Sequence, residues 1–237
     1  MAETARRVVD RHDPDVLLLR FNQTDHVQEF LGWQQRRGAA AESRDAEAQI
    51  LQTYAEVSTH IASLVSDVGP DTQVVLFSDH GIDWVETHLR PNAVLDQLGL
   101  AARMVFQGDS TCAYLYADEP LTCTERLDLI AALHDLGPGV KVLGQGELGA
   151  LGLPTCSDRT GRLVLGCGRH TEFIYSGSPV RENVRSASHG FDPRVPEMTG
   201  FFRAFGAARL PSDLPTSVTE VASLVRVACR TVLKVRA

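Results

Sequence analysis

The chain has 237 residues, 43% of them hydrophobic, and a formal net charge of −7 at pH 7. This length and composition predict a globular protein with one sizeable core, and the acidic balance excludes a protein that binds a nucleic-acid duplex over a broad surface. No stretch approaches the eighteen or so apolar residues of a membrane span, so we expect no membrane partner. The odd number of cysteines, without metal-type spacing, favours a reduced, cytoplasmic protein.

The first predicted strand covers the apolar residues 16–21 and leads through Asn22 to Asp25. If a helix begins near Asp25, then Asp25 and Glu29 share one face, and their carboxylates can converge on one cation. The alternative is an N-cap Asp followed by a first-turn Glu, which the helix dipole favours without any metal. Taken alone, the spacing favours this second interpretation.

A second strand ends in the sequence Ser-Asp-His-Gly. Residues 44–68 have helical spacing, and a Gly-Pro turn then leads into the apolar run at 73–77. A strand, a helix and a strand predict a parallel pair, with its ligands at the carboxyl end of the sheet. The turn after the strand can direct Asp79 and His80 toward one metal ion. Taken alone, the pair favours the alternative, a capping Asp beside a hydrogen-bonded His.

The pattern changes between residues 101 and 185, where short strands, a helix at 124–135 and several glycines alternate. We interpret 101–185 as an inserted α+β cap subdomain. Residues 1–100 and 186–237 then form an α/β core. This core includes a short helix at 93–98, a strand at 200–205 and a closing helix at 220–233.

A third segment is a loop with a single histidine, Ser188-His189-Gly190-Phe191-Asp192-Pro193, followed by Pro196-Glu197-Met198. Together with Thr24–Glu29 and Phe77–Gly81, it resembles the alkaline phosphatase superfamily, in the branch of type I phosphodiesterases and nucleotide pyrophosphatases, with phosphonoacetate hydrolases as close relatives. The resemblance implies an α/β fold with a mostly parallel sheet and helices on both faces. The sandwich is expected to be incomplete, because this chain matches only the later part of the catalytic domain.

The resemblance also implies the metal ligands. Asp25, Glu29 and His189 are expected to bind one divalent ion, and Asp79 and His80 a second. Zinc is the expected ion, but Glu29 stands where the family has a histidine, and a carboxylate moves the site toward manganese or magnesium. His26 is the other possible donor, although helix geometry turns it away from positions 25 and 29.

The nucleophile of the family is a Thr or Ser at a helix N-terminus, ahead of the first segment matched here. It is not found before Asp25, and neither Thr24 nor Thr160 takes its place, so the catalytic residue is unassigned. We expect an upstream segment or a second chain to complete the site.

The expected function is metal-dependent hydrolysis of a small phosphorylated substrate, either a phosphodiester, a nucleotide diphosphate or a phosphonate. Arg169, His170 and Arg194 are candidates to contact a substrate phosphate, but an ordinary surface role is favoured for all three. The alternatives are a catalytically impaired pseudoenzyme and a half domain that binds a phosphoryl ligand or docks onto a chain with the nucleophile.

Overall fold

The computed structural model describes residues 2–35, 41–137, 139–153, 155, 161–206 and 215–235. The helices are α1 (Ala2–His12), α2 (Gln23–Gln35), α3 (Ala41–Asp67), α4 (Pro91–Gln97), α5 (Cys123–His134), α6 (Gln145–Ala150) and α7 (Val218–Val235). The strands are β1 (Val74–Phe77), β2 (Asp83–Leu89), β3 (Met104–Asp109), β4 (Cys112–Ala117), β5 (Val140–Leu143), β6 (Leu163–Cys167), β7 (Thr171–Phe173), β8 (Arg181–Ser188) and β9 (Phe202–Phe205).

The chain forms two compact units. One contains residues 1–81 and 200–237, and the other contains residues 82–199. The second unit therefore begins before position 101 and ends after position 185, the limits predicted for the cap. The assignment of 101–185 as a functional cap stays a prediction.

The helices of the first unit are built around α3. Its buried side chains recur at helical spacing, at Ser43, Ala46, Ile50, Val57 and Leu64. Helix α2 packs along α3, and α1 packs against the end of α3 through Ala2 and Ala5. The helix predicted at 44–68 is confirmed, because its apolar stripe is long enough to specify a helix by itself.

The first unit also contains a two-stranded antiparallel sheet of β1 and β9. These strands confirm the predictions at 73–77 and 200–205. The strand predicted at 16–21 is wrong, because these residues pair with no other strand among the described residues. Val16 and Leu18 stay 48% and 82% exposed. An apolar run becomes a strand only when a neighbour accepts its backbone hydrogen bonds, and here the predicted parallel pair does not form.

The second unit contains a four-stranded sheet in the order β3-β4-β6-β5 and a three-stranded sheet in the order β7-β2-β8. Among the described strands, only β2 and β7 pair in parallel. A mostly parallel sheet is therefore not confirmed. In the part of the chain that carries the predicted parallel pair, β1 pairs antiparallel with β9, and residues 16–21, its predicted parallel neighbour, form no strand.

Helices α4, α5 and α7 confirm the helices predicted at 93–98, 124–135 and 220–233. Local signals explain α4 and α5. Pro91 opens α4, and Thr122 and Glu125 close a capping box at the start of α5. None of the described helices combines the length and the apolar character needed to cross a membrane.

Candidate metal centre

Helix α2 begins one residue after Asn22. The Asn22 carbonyl accepts a hydrogen bond from the His26 backbone N–H at 3.0 Å, which makes Asn22 the N-cap residue. Asp25 is therefore the third residue of the helix and not its N-cap, so the simple capping role considered for Asp25 is not the one that it has. The predicted helix near Asp25 is confirmed.

The Asp25 carboxylate is left with an unsatisfied oxygen. Its Oδ1 atom is buried and has no hydrogen-bond partner among the described residues. Burial raises the pKa of the Tyr54 hydroxyl, and the nearby negative charge of Asp25 raises it further. The Tyr54 hydroxyl, however, donates to Gln28 Oε1 at 3.2 Å. Because a buried, unpaired carboxylate oxygen is costly, the arrangement suits a carboxylate that receives a cation.

Glu29 follows Asp25 by one helical turn and is half-buried, whereas His26 is exposed. This difference follows from helix geometry, since positions 25 and 29 share a face and position 26 turns away. Of the two alternative donors, Glu29 is the one on the face of Asp25. Its role as a ligand stays a prediction.

The turn after β1 is held by two hydrogen bonds between Ser78 and Phe201, here called the Ser78–Phe201 bracket. Ser78 N–H donates to the Phe201 carbonyl at 3.0 Å, and Phe201 N–H donates to Ser78 Oγ at 3.0 Å. Gly200 lets the two segments approach this closely, because a Cβ atom at Gly200 would lie 2.7 Å from the Ser78 carbonyl oxygen. The bracket fixes where the next two residues, Asp79 and His80, leave the strand.

His80 is oriented as a metal-binding imidazole. Its Nδ1 lies 3.0 Å from the Gly81 carbonyl oxygen, which can only accept, so Nδ1 carries the proton in that hydrogen bond. In the neutral ring, Nε2 then keeps its lone pair. Nε2 lies 3.6 Å from Asp79 Oδ1, and the side chains of His80 and Asp79 are 23% and 56% exposed.

The structure brings Asp25 and His80 together. A carboxylate oxygen of Asp25 and a ring nitrogen of His80 lie within 4.8 Å of each other. Ligand atoms about 2 Å from a shared or neighbouring ion are separated by a few ångströms, so this distance is compatible with a cation. An oxygen donor and a nitrogen donor at this separation fit zinc or manganese.

His189 belongs to the second unit and directly follows β8. The neighbouring Ser188 is buried, donates from Oγ to Glu172 Oε1 at 3.0 Å and lies opposite Asp83 in the sheet. Gly190 adopts a φ of +83°, and its carbonyl accepts a hydrogen bond from the Thr111 hydroxyl. His189 is therefore held on both sides, and its role as a ligand stays a prediction.

Asp192 and Arg194 form an ion pair in the same loop. Arg194 donates from Nε to Asp192 Oδ1 at 2.8 Å and from Nη2 to Oδ2 at 2.5 Å. These hydrogen bonds lower the pKa of Asp192 from its ordinary value of 3.8 to about 2. Because Arg194 is engaged by Asp192, the surface role favoured for it from the sequence is the simpler interpretation.

Arg169 and His170 are engaged inside the second unit. Arg169 donates from Nε to Asp83 Oδ2 at 2.9 Å and from Nη2 to Glu197. The His170 ring stacks on Trp84 with 4.4 Å between the ring centroids. Two carboxylates balance the charge of Arg169, which argues against a contact with substrate phosphate.

Thr24 lies in the first turn of α2, and Thr160 lies outside the described residues.

The chain was compared with known proteins. The model of the family "Type I phosphodiesterase / nucleotide pyrophosphatase" matches residues 1–192. The chain belongs to this family. The resemblance seen in the three sequence segments is thereby confirmed. The comparison with curated proteins gave no match.

Two kinds of solved structure share the fold. Murine ectonucleotide pyrophosphatase/phosphodiesterase 5 is 16% identical with a TM-score of 0.68, and the match covers 97% of this chain and 58% of the murine one. Phosphonoacetate hydrolase from Sinorhizobium meliloti, solved with phosphonoformate, is 18% identical with a TM-score of 0.54, covering 94% and 53%. An inactive threonine-to-alanine variant of the murine protein, solved with AMP, gives the same TM-score of 0.68 at 15% identity, with the same coverage of 97% and 58%. This chain thus spans less than three fifths of these relatives.

Proposed function

We propose that this chain is the metal-binding part of a phosphoric-ester hydrolase of the type I phosphodiesterase family. One observation carries the proposal: the carboxylate of Asp25 has a buried oxygen without a hydrogen-bond partner among the described residues, and it lies within 4.8 Å of His80. Left without a cation or another donor, this buried oxygen destabilises the fold.

The proposed ligands are Asp25, Glu29 and His189 for one ion and Asp79 and His80 for the other. The distance of 3.6 Å between His80 Nε2 and Asp79 Oδ1 supports the second set. The closeness of Asp25 to His80 is what two neighbouring ions require. When bound, such ions neutralise the negative charge that develops on a phosphoryl group during hydrolysis. Zinc is the proposed ion, and manganese is the alternative because Glu29 supplies a carboxylate where the family has a histidine.

The proposed substrate is small and phosphorylated. Among the family's solved structures, the murine protein was bound to AMP and the bacterial one to phosphonoformate. We extend this class to the present chain as a phosphodiester, a nucleotide diphosphate or a phosphonate. A chain with a net charge of −7 repels such anions, so a cation at Asp25 and His80 supplies the attraction that the protein itself lacks.

The nucleophile is proposed to come from outside this sequence, from an upstream segment or a second chain. This is supported by coverage, because the chain spans 58% of the murine relative. The same observation favours the alternative, a domain that binds a phosphoryl ligand and does not hydrolyse it. The cytoplasmic location inferred from the cysteines stays a prediction.

Metal analysis and a phosphodiesterase assay on the same samples test the proposal. The samples are the wild type, His80→Ala and His189→Ala, with the exposed histidines at 60 and 134 replaced as controls. We expect His80→Ala and His189→Ala each to lower metal affinity by about tenfold or more, since each removes a ligand. The control variants should bind as the wild type does.

The outcomes separate the two functions. Metal binding with hydrolysis of bis-nitrophenyl phosphate supports the hydrolase. Metal binding with phosphate affinity and no hydrolysis supports the binding domain. Equal metal content in the wild type, His80→Ala and His189→Ala would contradict both.

A further inference from the structure

Asn22 and Asp25 occupy the two positions that normally cap a helix. Asn22 is the N-cap of α2 and Asp25 is the third helical residue. In a capping box, the N-cap side chain accepts from the backbone N–H of the third residue, and the side chain of that residue reaches back. Helix α5 does this with Thr122 and Glu125, at the same spacing.

Helix α2 does not use this arrangement. Asn22 Oδ1 and Asp25 Oδ1 are both buried, and neither has a hydrogen-bond partner among the described residues. Asn is among the best N-cap residues, and its side-chain oxygen ordinarily accepts a hydrogen bond from a backbone N–H of the first helical turn. Each of these acceptors needs a donor or a cation that the described residues do not supply, and positions three apart on a helix are neighbours on its surface.

We infer that Asn22 supplies its side-chain oxygen as a further ligand of the cation that Asp25 binds. The inference rests on the proposed function, because it assigns one more residue to the same site. A carboxamide oxygen adds a donor without adding negative charge. With Asn22, Asp25 and Glu29, the first two turns of α2 offer three oxygen donors, a set that suits manganese or magnesium better than zinc.

An ordered water is the competing explanation. A water molecule donates two hydrogen bonds and satisfies both oxygens without an ion. The two explanations differ in what removing the Asn22 oxygen does. Loss of a water site affects the protein with and without metal, whereas loss of a ligand affects only metal binding.

Four variants of the full chain separate these explanations. Asn22→Leu keeps the branched shape of the side chain and removes the oxygen. Asn22→Ser keeps a good N-cap residue, but its shorter side chain holds the oxygen too close to the backbone to reach the proposed cation. Asn22→Asp keeps an oxygen at the original position. Thr122→Val is the matched control, since it removes a real cap from α5. The measurements are Mn²⁺ affinity by titration calorimetry and thermal unfolding with and without Mn²⁺.

A ligand role predicts that Asn22→Leu and Asn22→Ser lower Mn²⁺ affinity by about tenfold or more, while Asn22→Asp retains it. Without metal, the Tm of Asn22→Leu and of Asn22→Ser should equal or exceed that of the wild type, because the unsatisfied carboxamide oxygen is removed. Thr122→Val should lower Tm by about 2–4 °C with or without metal and leave affinity unchanged.

Two results would overturn the inference. One is wild-type Mn²⁺ affinity in Asn22→Leu and Asn22→Ser while His80→Ala loses binding, which leaves the proposed function intact. The other is a lower Tm of the metal-free Asn22 variants, which assigns the oxygen to a cap or a water. Failure of the wild type to bind Mn²⁺ or Zn²⁺ would reject the proposed function as well.

Discussion

At the scale of single residues, the candidate site depends on one carboxylate oxygen. Asp25 Oδ1 is buried and has no hydrogen-bond partner among the residues that the structure describes. A buried oxygen in this state costs stability, and a cation beside it removes that cost. This feature is therefore more informative than the residue types themselves.

Glu29 is expected to set the choice of metal. Glu29→His replaces an oxygen donor by nitrogen and should shift the preference toward Zn²⁺ over Mn²⁺ by about tenfold, since imidazole suits zinc. Competition titrations with the two ions measure this ratio. His26→Ala is the control, because the His26 side chain is exposed. A loss of binding in His26→Ala with no change in Glu29→His would show that the neighbour is the ligand.

The Asp192–Arg194 pair predicts a pH effect. The pKa of Asp192 is lowered to about 2, so the pair stabilises the fold above pH 3.8 and this contribution is lost as the pH falls through about 2. Arg194→Gln should therefore raise the pKa of Asp192 toward its ordinary value. A carboxyl ¹³C NMR titration measures it, with the exposed Arg185→Gln as control. An unchanged pKa in Arg194→Gln would contradict the assignment of the pair.

At the scale of elements, the turn with Asp79 and His80 depends on the close approach of Gly200 to Ser78. Gly200→Ala places a methyl group 2.7 Å from the Ser78 carbonyl and should destabilise the protein by about 1–3 kcal/mol and weaken metal binding. Gly146→Ala in α6 is the matched control, because nothing lies within 4 Å of its added Cβ. Chemical denaturation and metal titration measure both effects. If Gly200→Ala matches Gly146→Ala in both, the bracket does not position the turn.

Elements specified by their own residues could be predicted from the sequence, and those specified by a partner could not. Helix α3 follows from its apolar stripe, and β1 follows from a short apolar run ahead of a polar turn. Residues 16–21 carry the same kind of run but have no strand partner among the described residues. Pairing is a long-range property that local pattern does not contain, and the mostly parallel sheet failed for this reason.

The site shows the same division. The motifs that carry the family resemblance pointed to Asp25 and His80, and the structure places these two side chains near each other. Their role as ligands stays a prediction. Nothing in the sequence singled out Asn22, because Asn just before a helix is the ordinary signal of an N-cap. Only the unsatisfied oxygen in the structure distinguishes it from one.

At the scale of the whole molecule, metal binding should appear as stability. A cation that binds the folded chain and not the unfolded one stabilises by mass action, by about 2.7 kcal/mol at a concentration of 100 times Kd. We expect Zn²⁺ or Mn²⁺ to raise the Tm of the wild type and EDTA to reverse the rise. His80→Ala should show a smaller shift and His60→Ala the full one. An equal shift in both would indicate binding elsewhere on the acidic surface.

Anomalous X-ray diffraction from crystals grown with Mn²⁺ or Zn²⁺ tests the central claim most directly. Data on either side of the metal absorption edge locate each ion without reference to the protein. The account predicts that a carboxylate oxygen of Asp25 and Nε2 of His80 each lie within bonding distance, about 2.0–2.2 Å, of an anomalous peak. A peak elsewhere, or an Asp25 carboxylate bonded only to water in metal-soaked crystals, would contradict it.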